Sequence, residues 1–162
     1  MHNNNNFLEK AEEYLDLAFQ LQRQGKLDQA IENYIISIDY HPTAKAYTFL
    51  GWALSKKGQL EEAIKYCKLA IDLDPYFGNP YNDIGSYLVA LRKNDEAEEW
   101  FYKAIDAPNY EPRHYPYYNL GRVYEKKGKW FEAIELFKKA LEFQPNYEPA
   151  NKAITQLTAI MN

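Results

Sequence analysis

Apolar residues recur along this 162-residue chain at helical spacing. Between Phe7 and Gln24, the residues Leu8, Ala11, Leu15, Ala18 and Leu21 are separated mostly by charged and amide side chains, a period that gathers them into one stripe on a helix. Gly25 ends that helix by accepting a left-handed backbone, Asp28 is placed to cap a second helix reaching about Tyr40, and His41-Pro42 breaks it. The same signals predict helices near 44–57 and 61–73, with Gly58 between them and Asp74-Pro75 after. Short turns fold each pair back into an antiparallel hairpin. Over residues 147–161 a last amphipathic helix is expected, with Ala150, Ala153, Ile154, Leu157 and Ile160 on its apolar side. Lys152, Thr155, Gln156 and Thr158 give it the polar outer face that a terminal cap needs.

Small residues and prolines recur on a longer scale. Gly121, Ala133, Ala140 and Pro145 stand at intervals of 12, 7 and 5, as do Gly51, Ala63, Ala70 and Pro75, and Ala18, Ala30, Ser37 and Pro42. Gly85, Ala97, Ala104 and Pro108 give 12, 7 and 4, and the first marker advances by 33, 34 and 36 residues from copy to copy. Such a period belongs to two-helix solenoid units, in which neighbours complete each other's core. The third copy departs at its inter-helix turn. Where the others have Gly25, Gly58 and Gly128 it has Arg92, followed by Lys93-Asn94-Asp95. Asn94 accepts a left-handed backbone better than Arg92, so a turn shifted by a residue or two is expected. The connector from Ala107 to Pro116 contains three prolines that prevent helix through most of it. It reads either as an aromatic, basic contact loop or as a longer packed connector.

The chain resembles the tetratricopeptide repeat family, whose pattern is an aromatic, Leu-Gly, Tyr, Ala, a second aromatic, Ala and Pro. The last copy has Tyr117, Leu120, Gly121, Tyr124, Ala133, Phe137, Ala140 and Pro145. The second has Tyr47, Leu50, Gly51, Leu54, Ala63, Cys67, Ala70 and Pro75; the third has Tyr81, Ile84, Gly85, Leu88, Ala97, Phe101 and Ala104. The first has Tyr14, Leu17, Ala18, Leu21, Ala30, Tyr34, Ser37 and Pro42. The resemblance implies an all-α, right-handed superhelical solenoid of four antiparallel helix pairs plus a C-terminal capping helix. A disordered or weakly ordered lead over 1–6 is expected before a single domain over 7–162, with repeats near 11–43, 44–77, 78–113 and 114–147. It also implies a non-enzymatic scaffold whose concave groove takes a peptide or helix of a partner protein.

Composition narrows the function further. With 19 basic and 23 acidic side chains the net charge is −4, which disfavours nucleic acid as a partner, because phosphate binding draws on a basic surplus. The charge is uneven: residues 7–43 carry seven acids against three bases, whereas 114–144 carry six bases against four acids. That asymmetry either orients a charged partner or reflects solvated outer faces. The single Cys67 excludes an internal disulfide and reads as a small apolar filler. The N-terminal Met-His-Asn-Asn-Asn-Asn lacks the pattern of a signal peptide, no apolar run is long enough to span a membrane, and a reducing cytoplasm is expected. His2, His41 and His114 lie in separate segments, so neither a metal site nor a cofactor is expected. No nucleophile or phosphate-binding motif points to catalysis.

Helical phase locates a candidate binding stripe. If repeat positions 4, 7, 8 and 11 point into the stack, positions 2, 5, 9 and 12 share another face. The resemblance places ligand binding there. The expected groove residues are Phe19, Lys45, Phe49, Trp52, Asn79, Asn82, Tyr115, Tyr118 and Arg122. Trp, Tyr and Arg often dominate interface energy. Asn79 and Asn82 are placed to hold a peptide backbone, although Phe19 and Trp52 also fit a reading in which they pack on one another. Chaperone-binding relatives use a carboxylate clamp whose places here hold Leu15, Phe19, Phe49, Asn79 and Asp83. None matches, and a register starting one repeat later also fails with Thr48, Trp52, Asp83, Tyr115 and Asn119. Acidic chaperone tails are therefore not the expected partner. The alternatives are a self-associating structural module, joined through end helices or the N-terminal segment, and, more remotely, an RNA-binding helical repeat.

Overall fold

The computed structural model describes residues 2–161, with side chains over 6–161. Its helices are α1 (His2–Arg23), α2 (Leu27–Tyr40), α3 (Ala44–Lys56), α4 (Leu60–Leu73), α5 (Asn79–Ala90), α6 (Asn94–Asp106), α7 (His114–Lys126), α8 (Trp130–Phe143) and α9 (Glu148–Met161). Each helix packs on the next, and the first helices of neighbouring pairs also touch, α1 on α3, α3 on α5 and α5 on α7. The result is the expected right-handed solenoid of four hairpins closed by α9. Its first helices form one wall. The described part of α1 begins at His2, upstream of the expected start at Phe7; Met1 lies outside the described residues.

Small residues set the spacing within each pair. A Cβ added at Gly85 would lie 2.6 Å from Phe101 Cε1, and one at Gly121 would lie 2.6 Å from Phe137 Cε1. Both rings are almost wholly buried. In the second pair Gly51 faces the smaller Cys67, whose Sγ would be 3.1 Å from the added carbon. Polar ties supplement the packing. Ser37 Oγ donates to the Ala11 carbonyl at 2.6 Å, and the Tyr34 hydroxyl donates to Gln22 Oε1 at 2.8 Å, joining α1 to α2. Burial pushes the Tyr34 hydroxyl well above its ordinary pKa.

Two local expectations are corrected. Asp28 does not cap α2: the cap position is Lys26, which makes no side-chain cap bond. Asp28 lies in the first turn, where a carboxylate favours the positive end of the helix dipole, and pairs with Lys57 of the next repeat. Nor does the third turn shift. Arg92 itself adopts φ 62°, matching Gly25, Gly58 and Gly128 at 77°, 81° and 73°, so geometry common to all four hairpins overrides the residue's own preference.

The connector between α6 and α7 is packed. Asn109 forms a parallel bridge with Phe77; its N–H donates to the Tyr76 carbonyl at 3.0 Å and its carbonyl accepts from Gly78 N–H at 2.8 Å. Tyr110 is 4 % exposed, and a Cβ on Gly78 would fall 2.4 Å from its Cβ. Only glycine fits beneath that side chain.

Candidate functional site

Along the wall formed by α1, α3, α5 and α7, side chains divide by helical phase. Position 5 of each repeat turns toward the neighbouring helix: Leu15, Thr48 and Asn82 are buried and Tyr118 is half-buried. Positions 2 and 9 stay more open. Lys45, Trp52, Tyr115 and Arg122 are exposed, whereas Phe19 and Asn79 are partly buried.

At the N-terminal end Phe19 stacks on Phe49 with ring centroids 5.4 Å apart, and Lys45 Nζ lies 5.6 Å from the Phe49 centroid. Phe49 also meets Tyr34 edge-on at 6.2 Å, so it belongs half to the core. The partner of Phe19 is thus Phe49, not Trp52. Trp52 is 37 % exposed, and its ring has Lys56 Nζ at 6.0 Å. It is the large apolar surface that this part of the wall presents.

The middle is polar. Asn119 Nδ2 donates to Asn82 Oδ1 at 3.0 Å and reaches Ser86 Oγ at 3.5 Å. Asn82, expected to hold a peptide backbone, is buried and bonds across repeats instead. Its position-5 register explains this, since that face meets the next first helix. Asn79 opens α5 and remains partly accessible. One turn away stands Asp83, at position 6, whose carboxyl is pushed up to about 7 by desolvation, an effect only partly offset by the Asn82 side chain. Solvent still reaches it. Beside it lie Cys67 and the phenols of Tyr87 and Tyr110, all held above their ordinary pKa first by burial and, for the phenols and the thiol alike, by the Asp83 charge as well. The buried Tyr87 hydroxyl lies near Ser55, whose own hydroxyl donates to the Trp52 carbonyl at 2.8 Å.

At the C-terminal end His114 sits between Tyr115 and Tyr147, with centroids 4.1 and 4.6 Å away. Desolvation holds its imidazole below the usual pKa. Tyr118 packs on Phe137 at 5.6 Å and on Tyr147 at 5.2 Å. Tyr147 therefore gathers Tyr115 and Tyr118 into one aromatic cluster. Arg122 pairs with Glu125 at 2.6 Å. Tyr118 and Arg122 border a cleft of about 460 Å³ toward α9, completed by Glu148, Pro149, Lys152, Ala153 and Gln156. The helical phase of the first helices pointed to Tyr118 and Arg122 but not to the α9 side of this cleft, because α9 was read only as a cap. Among the described residues no cluster of three or more His, Cys, Asp or Glu side chains has metal-binding geometry, and no helix is long and apolar enough to cross a membrane.

Comparison with known proteins bears on the fold and the family. The chain is 28% identical over 79 residues to human protein O-mannosyl-transferase TMTC1, a match covering 49% of this chain and only 9% of that protein. Among solved structures, Pseudomonas aeruginosa PilF superposes with a TM-score of 0.90 at 21% identity, over 96% of this chain and 71% of that one. MamA gives 0.72 at 25% identity, over 92% and 81%. YrrB, described as a repeat protein with an unusual peptide-binding site, gives 0.70 at 22% identity, over 88% and 73%. Family models described as tetratricopeptide repeat match residues 44–77, 79–109 and 114–147. With these matches over most of its length and the same hairpin geometry in its first pair, the chain belongs to the tetratricopeptide repeat family.

Proposed function

We propose that the chain is a non-enzymatic interaction scaffold that receives an extended segment of a partner protein along the wall of its first helices. The observation that carries this reading is the exposure of Trp52, Tyr115 and Arg122 on that wall, beside the half-buried Asp83. Large aromatics and an arginine exposed beside partly buried polar groups make a preformed surface, on which a few anchors supply most of the affinity. Phe19, Phe49, Asn82 and Tyr118 shape this wall from beneath. The peptide-binding description of YrrB and the subunit assembly Cut9-Hcn1, which superposes at a TM-score of 0.77 and 23% identity over 91% of this chain and 29% of that one, accord with such a use of the fold.

The test is capture of partners by the wild-type chain and by a combined Trp52→Ala, Tyr115→Ala, Arg122→Ala variant, both checked for helical circular dichroism. The three side chains are exposed, so the variant is expected to fold. Proteins retained by wild type and lost by the variant support the groove; equal retention refutes it. A second reading is self-association through the first helix pair, where Phe7, Leu8, Leu17 and Ile35 are each more than 40 % exposed. Mass in solution that rises with concentration, and is abolished by Leu17→Glu, supports that reading.

A further inference from the structure

Asp83 is the groove feature that packing does not explain. It occupies position 6 of the third repeat, where the second has Phe49 and the fourth has Asn119. Each of those contacts the preceding first helix: Phe49 meets Phe19, and Asn119 meets Asn82 and Ser86. By the same register, the places opposite Asp83 are Thr48 and Trp52. Thr48 is buried, with its hydroxyl donated to the Ala44 carbonyl at 2.7 Å. No lysine or arginine is among the groups that perturb Asp83, and it enters no ion pair among the described residues. The titratable groups whose charge state couples to it are Cys67 from α4, Tyr87 from α5 and Tyr110 from the connector; none is a cation.

A carboxylate without a cation in so crowded a place opposes folding, because desolvation disfavours the charged form and the Asn82 side chain offsets it only in part. By register the exposed Trp52 indole, with Lys56 Nζ 6.0 Å from its ring centroid, stands on the preceding first helix across from Asp83. A carboxylate at a groove floor with an indole opposite is complementary to an ammonium or guanidinium, which gains an ion pair and a cation–π contact together.

We propose that Asp83 is the recognition point for a lysine or arginine side chain of the extended partner segment that the groove binds. This rests on the groove reading above and adds to it the sign of the partner's charge. The basic side chain seats between Asp83 and Trp52, and the rest of the segment runs toward Tyr115.

A display library of random 12-residue peptides, selected on the full chain, supplies the probe. The expected result is a selected set sharing a lysine or arginine at a fixed position. Replacing that residue by norleucine weakens binding to wild type by roughly tenfold or more. Asp83→Asn produces a comparable loss, after which the norleucine change has no further effect, and Asp83→Glu retains part of the affinity. Asp83→Asn is nearly isosteric, and the norleucine arm leaves the protein untouched. Selected peptides without a basic residue, or norleucine and Asp83→Asn effects that simply add, overturn the proposal. If such peptides still lose binding on Trp52→Ala, the groove stands and only Asp83 falls. Peptides indifferent to Trp52→Ala, or no selected peptide at all, overturn both.

Discussion

Gly121→Ala adds one methyl group to α7 at the point where it crosses α8. The new carbon would sit 2.6 Å from Phe137 Cε1 and 2.8 Å from Cδ1, against the roughly 3.5–4.0 Å at which carbon atoms pack. Phe137 is fully buried, so relieving the contact requires the two helices to part by about 1 Å at their tightest crossing. Overpacking of this kind costs about 1–3 kcal/mol, and alanine returns about 1 kcal/mol of helix propensity over glycine. The net expectation is a destabilisation of up to about 2 kcal/mol, read as a melting point lowered by as much as roughly 8 °C for a chain of this size. Urea denaturation followed by circular dichroism gives the free energy directly. The decisive comparison is in a Phe137→Leu background, where the ring is gone. There Gly121→Ala is expected to be neutral or stabilising by up to about 1 kcal/mol. An equal penalty in both backgrounds would refute the close-crossing argument.

Further expectations follow from other positions. Arg92→Gly relieves the left-handed backbone at φ 62° and is expected to stabilise by roughly 1 kcal/mol, measured by the urea midpoint; destabilisation would mean that the arginine side chain contributes more than its strained backbone costs. Asp83 has its pKa raised from 3.8 to about 7, so it holds its proton more tightly folded than unfolded. Its contribution is therefore fully present below about pH 4 and lost as pH rises to about 7, by at most about 4 kcal/mol, less whatever water at the groove mouth recovers. Asp83→Asn is expected to gain stability relative to wild type at pH 8 and little at pH 4; a gain independent of pH would refute the assignment. Lys127 bridges Asp95 at 2.6 Å and Glu98 at 2.5 Å, tying α7 to α6. Both contacts sit near the surface, so Lys127→Met is expected to cost less than about 1 kcal/mol in the same denaturation assay.

What was legible in the sequence was whatever is fixed within one hairpin. Gly25, Gly58 and Gly128 announced left-handed turns because a glycine there acts through its own backbone. The pairing of Gly85 with Phe101 and of Gly121 with Phe137 was implicit in the recurring interval, since one hairpin brings both partners together. Contacts between repeats were less readable. Asn82 reads as a ligand contact, yet it binds Asn119, because only about 40–60° around the helix axis separates the open groove positions from the inter-repeat seam. Asp83 reads in the sequence only as a mismatch to the carboxylate clamp, and its crowding by Tyr110 is hidden there. That tyrosine arrives from the irregular connector, whose path periodicity does not describe. Arg92 misled for the opposite reason: its preference was read correctly, and the architecture overrode it.

The bridge between Phe77 and Asn109 changes how the array comes apart. In a solenoid held only by contacts between adjacent units, end repeats fray independently and stability is lost stepwise. Here the strand-like contact joins the entrance of the third repeat to its exit, and Tyr110 locks onto Gly78 at the same spot. Opening either junction exposes the other, so the second, third and fourth repeats share one breaking point. The molecule behaves less as a row of separable units than as a belt buckled at its middle, with the free lengths at its two ends.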